Sequence, residues 1–348
     1  MGRPELVATN PAYRRQGLVR AIFETIHALS ASYGHMVQGI TGIPWFYRQF
    51  GYEYALSLGA RRVLNIQDIP TLEVDKAESY RVRLVTEADI PTLMTMYNHH
   101  CADKLVTSLI DEARWRYELS GRSSGTDQVI MAYFIEDNES RVVGYYLTPA
   151  RLRGPNLVLY TLFVNEGISL WSVLPSVLRA LKAQGETYAA EAKRPLMGIY
   201  LALGSEHPIY ELLDTKLKPL QRLGSLYIRV ADLPGFIRHI APVLERRLSR
   251  SAISGFSGEL NLTFYRGGLR LVFERGKISQ ATKWQAPDTH EEWQGAGFPP
   301  LVFLQLLFGF RSLQELQYSF PDCLADEEAA FLLNALFPKK DSWLVVLS

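Results

Sequence analysis

The chain has 348 residues, which at roughly 100–200 residues per domain predicts two or three domains. Hydrophobic residues make up 47% and charged residues 21%, a globular composition with apolar mass for more than one core. Lys and Arg number 37 against 36 Asp and Glu, so the net charge of +1 argues against a nucleic-acid or polybasic membrane surface.

Residues 1–68 predict strand, helix, strand, short helix, strand. Leu6–Thr9 reads as extended and stops at Asn10-Pro11. A helix is predicted from Gln16 to Tyr33, with Val19, Ile22, Phe23, Ile26, Leu29 and Tyr33 on one face and Gly34 as its terminator. His35–Ile40 is the next predicted strand, Pro44 opens a short helix through Trp45, Phe46, Tyr47 and Phe50, and Gly51 stops it. Tyr54–Ile66 returns as a strand and closes at Asp68-Ile69-Pro70.

Residues 156–234 repeat that order. Asn156–Asn165 is a predicted strand, Ser169–Gln184 a helix, Gly198–Gly204 a strand, Pro208–Leu217 a short helix and Leu226–Ala231 a strand, closing at Asp232-Leu233-Pro234. This second copy has a front half: a strand at Tyr80–Val85, helices at Glu87–Asp103 and Leu109–Gly121, and strands at Gln128–Ile135 and Val142–Thr148. The front half spans 76 residues, Tyr80 to Pro155, and the first copy is read as lacking its counterpart ahead of Leu6.

The last section alternates. Leu260, Leu262 and Phe264, then Leu269, Leu271 and Phe273, face one way across glycine turns, which predicts a meander with one apolar face. Helices at Leu233–Arg247, Pro300–Phe308 and Glu327–Phe337 flank it, and an apolar strand is predicted at Ser342–Ser348.

The segment Val7-Ala8-Thr9-Asn10-Pro11-Ala12-Tyr13-Arg14-Arg15-Gln16-Gly17-Leu18-Val19 is where chemistry is most legible. A strand ends, two arginines and a glycine turn the chain, and an amphipathic helix begins at once. The first turn of a helix has unpaired N–H groups and partial positive charge, a ready cradle for pyrophosphate. Residues 1–62 hold seven arginines, no lysine and three glutamates, so a phosphate-rich ligand is expected here despite the neutral total.

Arg14-x-x-Gly17-x-Val19 after Pro11 resembles the acetyl-CoA loop of GCN5-related N-acetyltransferases (GNAT), commonly Gln/Arg-x-x-Gly-x-Gly/Ala, with Val19 in place of the small residue. Phe46-Tyr47-Arg48-Gln49-Phe50-Gly51-Tyr52 extends the likeness, and Phe303–Ser312 resembles the carboxyl domain of the enhanced intracellular survival (Eis) branch. The resemblance implies an α+β chain of tandem GNAT mixed α/β units, the first truncated, followed by a sterol-carrier-like α+β domain. The implied division is 1–72, 73–232 and 233–348.

By the same resemblance the protein transfers acetyl from acetyl-CoA to a primary amine, aminoglycoside-like or lysine, by direct attack. Arg14, Arg15, Gln16, Gly17, Leu18 and Val19 would hold the pyrophosphate, and Val7, Ala8 and Thr9 would pair with the pantetheine amides. Tyr47 would donate a proton to the leaving thiolate, and the Ser348 carboxylate would accept one from the amine. The second copy reads Asn165-Glu166-Gly167-Ile168-Ser169, with an acid where phosphate would sit, so no CoA is expected there. A homo-oligomer is expected as in relatives.

Other features are read as structural. His99-His100-Cys101 lacks a second ligand pair at metal spacing, and adjacent helical residues point about 100° apart, so no metal is expected. His290-Glu291-Glu292 reads as a solvated loop. Only Cys101 and Cys323 are present, no apolar run reaches ~18 residues, and the first residues lack a signal-peptide core. A cytoplasmic protein without a membrane or nucleic-acid partner is therefore expected. Two other functions fit the sequence: a catalytically impaired CoA-binding or interaction scaffold, and a lipid-binding module in which Val302, Phe303, Leu306 and Leu307 line a cavity.

Overall fold

The computed structural model describes residues 1–344 apart from 124, 127, 205, 220–222 and 288–293. His290-Glu291-Glu292 and Ser348 therefore lie outside the described residues.

In chain order, α1 is Leu18–Ser32, β1 Val37–Ile40 and β2 Glu53–Asn65, with a 3₁₀ turn at Phe46–Phe50 between the strands. Then come β3 (Arg81–Leu84), α2 (Ile90–Cys101), α3 (Glu112–Arg116), β4 (Ile130–Glu136) and β5 (Val142–Pro149). Next are β6 (Asn156–Leu159), β7 (Thr161–Val164), α4 (Leu170–Glu191), β8 (Gly198–Leu203), α5 (Ile209–Leu212) and β9 (Leu223–Val230). The last section holds α6 (Leu233–Leu248), β10 (Gly258–Thr263), β11 (Gly268–Glu274), β12 (Lys277–Trp284) and β13 (Ala296–Gly297). It ends with α7 (Phe303–Leu307), α8 (Leu313–Ser319), β14 (Leu324–Ala325) and α9 (Glu327–Leu336).

These elements pack as two compact units: residues 1–56 with 225–340, and residues 57–224 with 341–348. In the first unit β1 lies antiparallel to β9, Val37 opposite Val230 and Ile40 opposite Tyr227. Phe23 of α1, Ile40, Tyr47, Tyr52 and Tyr227 form its aromatic core. The expected meander is present as β10–β11–β12, extended by β13 and β14 in the order β12-β11-β10-β13-β14. Its inward Leu260, Leu262, Leu269, Leu271 and Phe273 are buried, as are Ile237, Leu244 and Leu248 of α6 and Leu332, Leu333 and Leu336 of α9. The Arg247 guanidinium donates to the Leu336 carbonyl at 2.7 Å, satisfying one of the acceptors at the end of α9.

In the second unit β3, β4, β5 and β7 form an antiparallel sheet, while β6 runs parallel to β8, which pairs antiparallel with residues 60–65 of β2. Leu157, Leu159, Ile199, Leu201 and Leu203 bury one face together with Val173, Leu174, Val177 and Leu178 of α4.

Four expectations change. Leu6–Thr9 joins no strand ladder; Leu6 has φ 54°, and the bridge nearby is Gly2 to Gln38. The run Asn156–Asn165 is two strands, because β6 hydrogen-bonds to β8 whereas β7 turns to β5, with Tyr160 between them. The helix predicted to stop at Gln184 continues to Glu191, since Gly185 is buried within it. Of the predicted apolar face of α1 only Phe23 is buried, and Ile22, Leu29 and Tyr33 are 48–69% exposed. Among the described residues the tail contributes one bridge, Thr107 to Trp343.

Of the adjacent His99 and His100, the first is exposed and the second packs into the second unit. His100 Nδ1 hydrogen-bonds the Tyr145 hydroxyl at 2.9 Å, and its ring stacks on Phe163. His207 donates from Nε2 to the Leu162 carbonyl at 3.0 Å, and its Nδ1 accepts from the Ile209 N–H at 3.2 Å. Burial lowers His100 to about 3 and His207 to about 4, so both are neutral in the fold. Folded values below the unfolded value of about 6.5 mean that the stability they contribute is present above that pH and is lost as pH falls toward 4. Melting temperature should drop between pH 6.5 and 4, and His207→Gln should flatten the drop; an equally steep fall in that variant would remove His207 as a cause.

Candidate functional site

The first unit holds a groove of about 530 Å³ lined by Val7, Ala8 and Thr9, by Tyr13 through Arg20, and by Ile43, Phe46, Tyr47, Gln49 and Phe50. The fold thus brings Val7, Ala8, Thr9, Arg14, Arg15, Gln16, Gly17, Leu18 and Val19 together with Tyr47, about thirty residues further on. Ser348 is outside the described residues.

Local chemistry builds one wall. Asn10 accepts from the Ala12 N–H at 3.0 Å, and a 3₁₀ turn covers Pro11–Tyr13. Arg15 and Gly17 then take left-handed φ values of 63° and 76°. Gly17 is the N-cap of α1, no side chain caps the helix, and no acid stands in its first turn. A Cβ at Gly17 would meet nothing within 4 Å, so the space in front of the helix start is open. The unpaired N–H groups there and the exposed Arg14 and Arg15, neither with a carboxylate partner among the described residues, leave a concentrated unspent positive potential. That arrangement fits a pyrophosphate. No backbone ladder engages Val7–Thr9, so their amide groups are available to an extended ligand.

The opposite wall is the turn Phe46–Phe50, closed by Gly51. Phe50 stacks on Phe23 at 4.5 Å, and Tyr47 packs edge-on to Tyr227 at 5.5 Å. Tyr47 is 4% exposed, yet its ring lines the groove and its hydroxyl has no hydrogen-bond partner among the described residues. Burial, and secondarily the charge of Glu5, raises Tyr47 above the ordinary phenol value, so it carries its proton at neutral pH. Tyr52 is the contrasting case: fully buried and raised to about 12 by burial, it spends its oxygen on His27 Nε2 at 2.9 Å.

A feature the sequence reading missed holds this wall. Arg48 pairs with Glu53 at 2.7 Å, and Glu53 is 2% exposed. Arg48 also lies 4.7 Å over the Trp45 ring. Burial raises Glu53, opposed first by Arg48 and also by the Tyr54 N–H, Arg311 and Gln305. The pair ties the turn that carries Tyr47 to the start of β2, and no periodicity marks it because its members lie on either side of a glycine stop.

A second groove of the same unit, about 680 Å³, is lined by Phe264, Trp284, Phe303, Leu304 and Arg266 among others. Of the four residues expected to line a lipid cavity only Phe303 does so; Val302, Leu306 and Leu307 are at most 5% exposed and fill the core. Among the described residues no three His, Cys, Asp or Glu group as a metal site, and no helix is long and apolar enough to cross a membrane.

No family model and no curated protein matches the sequence. Solved structures match its fold. A GCN5-related N-acetyltransferase from Anabaena variabilis aligns with a TM-score of 0.62 at 17% identity, over 97% of this chain and 79% of that one. A conserved protein from Enterococcus faecalis, described as a probable N-acyltransferase, gives 0.60 at 15% identity, over 97% and 77%. Eis1 from Mycobacterium abscessus gives 0.53 at 13%, over 96% and 79%. The chain therefore has the mixed α/β fold of GNAT proteins, and the expectation drawn from the Arg14–Val19 and Phe46–Tyr52 segments stands at the level of fold.

Proposed function

We propose that this protein is an acetyl-CoA-dependent N-acetyltransferase acting on a primary amine of a small molecule or peptide. The observation that carries the reading is the single groove in which the uncapped start of α1, with Arg14, Arg15 and Gly17, faces the same space as Tyr47. When bound, acetyl-CoA would supply an acyl thioester, the electrophile for a neutral amine. The Arg15–Val19 backbone N–H groups hold the pyrophosphate and Val7–Thr9 orient the pantetheine arm. Tyr47 keeps a proton at its hydroxyl, ready for a leaving thiolate whose conjugate thiol has a pKa of about 8.5.

In this reading residues 1–72 carry the acetyl-CoA loop, 73–232 form a second unit without one, and 233–348 form a sterol-carrier-like domain. The second unit supports that assignment at its own helix start. Ser169 caps α4, accepting from the Ser172 N–H at 3.4 Å, and the exposed Glu166 carries negative charge just ahead of it. A cap and an acid both oppose a bound phosphate.

Calorimetric titration of CoA tests the reading. One site is expected, with Kd raised at least tenfold, about 1.4 kcal/mol, by Arg14→Glu/Arg15→Glu. Unchanged CoA affinity in that double variant would sink it.

A further inference from the structure

The second unit contains a separate cavity of about 570 Å³, within the range of ordinary small-ligand sites. It lies on one face of a sheet. Along residues 156–160 every second side chain, Asn156, Val158 and Tyr160, lines it, and so do Tyr200, Ala202 and Gly204. The alternate residues Leu157, Leu159, Ile199, Leu201 and Leu203 are fully buried on the other face. Gly59, Ala202 and Gly204 carry little or no side chain, which leaves the floor of the cavity empty.

Segment 342–344 forms another wall, held in place where the Leu105 N–H donates to the Asp341 carbonyl at 2.7 Å and the Trp343 N–H to Val106 at 2.8 Å. Ser342 and Trp343 are each 8% exposed, so this wall is closely packed.

The lining carries guanidinium groups. Among the described residues it includes Arg61 and Arg153, the latter already engaged by a partner. Arg61 is exposed at the rim on β2 and has no carboxylate partner among the described residues. Two phenol rings, Tyr160 and Tyr200, are half-buried in the walls. Such a lining offers the Arg61 guanidinium beside two aromatic faces. It favours a flat ligand bearing a negative charge, with its ring against aromatic faces and its anion on a guanidinium.

We propose that this cavity is a binding site for a planar organic anion, an aromatic carboxylate, with the carboxylate on Arg61 and the ring between Tyr160 and Tyr200. The site is independent of acetyl transfer and of the groove in the first unit. Calorimetric titration with 2-naphthoate and its uncharged isostere 2-naphthamide, without CoA, tests it on the full chain. Naphthoate should bind one site at least tenfold more tightly than the amide. Arg61→Gln should weaken naphthoate about tenfold and leave the amide unchanged, while Tyr200→Ala weakens both. Raising KCl on the unaltered protein should weaken naphthoate selectively, a readout that needs no variant. Arg266→Gln, in the apolar groove of the other unit, should change neither. Equal affinity for acid and amide, no effect of Arg61→Gln, loss on Arg266→Gln instead, or no binding at millimolar naphthoate each overturns the proposal.

Discussion

Replacing Tyr47 by Phe is expected to lower the acetyl-transfer rate by about 10²–10⁴-fold, the usual contribution of one positioned general acid. Folding should be spared, because the hydroxyl has no partner among the described residues and its removal orphans no buried group. On the proposed reading CoA affinity should stay within about twofold, since Arg14–Val19 on the other wall of the groove would hold the phosphates. Tyr52→Phe should behave differently: it removes the partner of His27, so stability falls while the proton donor at the groove remains. Full transfer by Tyr47→Phe would remove this tyrosine from the chemistry. Because burial holds its pKa above the ordinary phenol value, no loss of its proton is expected below about pH 10, and an alkaline limb nearer neutrality would point to another group.

The largest stability effect is expected at Gly59. Its φ is 93°, and a Cβ there would stand 2.0 Å from the Leu203 carbonyl oxygen and 2.8 Å from its carbon. Both contacts are backbone, so no rotamer change relieves them. An alanine meets the cost of a left-handed conformation, about 1–3 kcal/mol, and an overpacking cost of similar size. Gly59→Ala should therefore lose about 2–6 kcal/mol, a fall in melting temperature on the order of 10 °C for a unit of this size. Gly17→Ala is the control. Its φ of 76° is similarly positive but its Cβ would meet nothing within 4 Å, so only the conformational cost, about 1 kcal/mol, is expected. Equal losses at the two positions would show that strand crowding is not what fixes Gly59. Scanning calorimetry distinguishes the cases.

Sequence alone was enough for the parts of the fold written in local chemistry. The helix after Arg14-Arg15-Gln16-Gly17, its end at Gly34, the aromatic turn stopped by Gly51 and the β10–β12 meander all follow from apolar spacing and turn residues within about twenty positions. One local signal was overlooked: Ser312-Leu-Gln-Glu315 is a capping box, and both of its reciprocal bonds form at the start of α8, at 2.8 and 3.2 Å. The acetyl-CoA-loop likeness was legible for the same reason, since a phosphate cradle at a helix start is a contiguous segment.

Tertiary structure decided what depends on partners far along the chain. The run 156–165 divides at Tyr160 because its two halves find hydrogen-bonding strands at 198–201 and 144–147, a choice no alternation pattern encodes. Residues 225–340 pack with 1–56, and 341–344 pack with the unit that begins at Ser57, so the compact units are not contiguous stretches of sequence. Glu53 is a buried carboxylate only because Arg48 reaches it across the turn. The cavity beside Arg61 exists only because small residues from two strands and a segment near position 343 meet on one sheet face. Propensity acts over a few residues and can be read from the chain. Strand partners, burial and the joining of charges into one space are set by contacts between distant segments, and those appear only once the chain has folded.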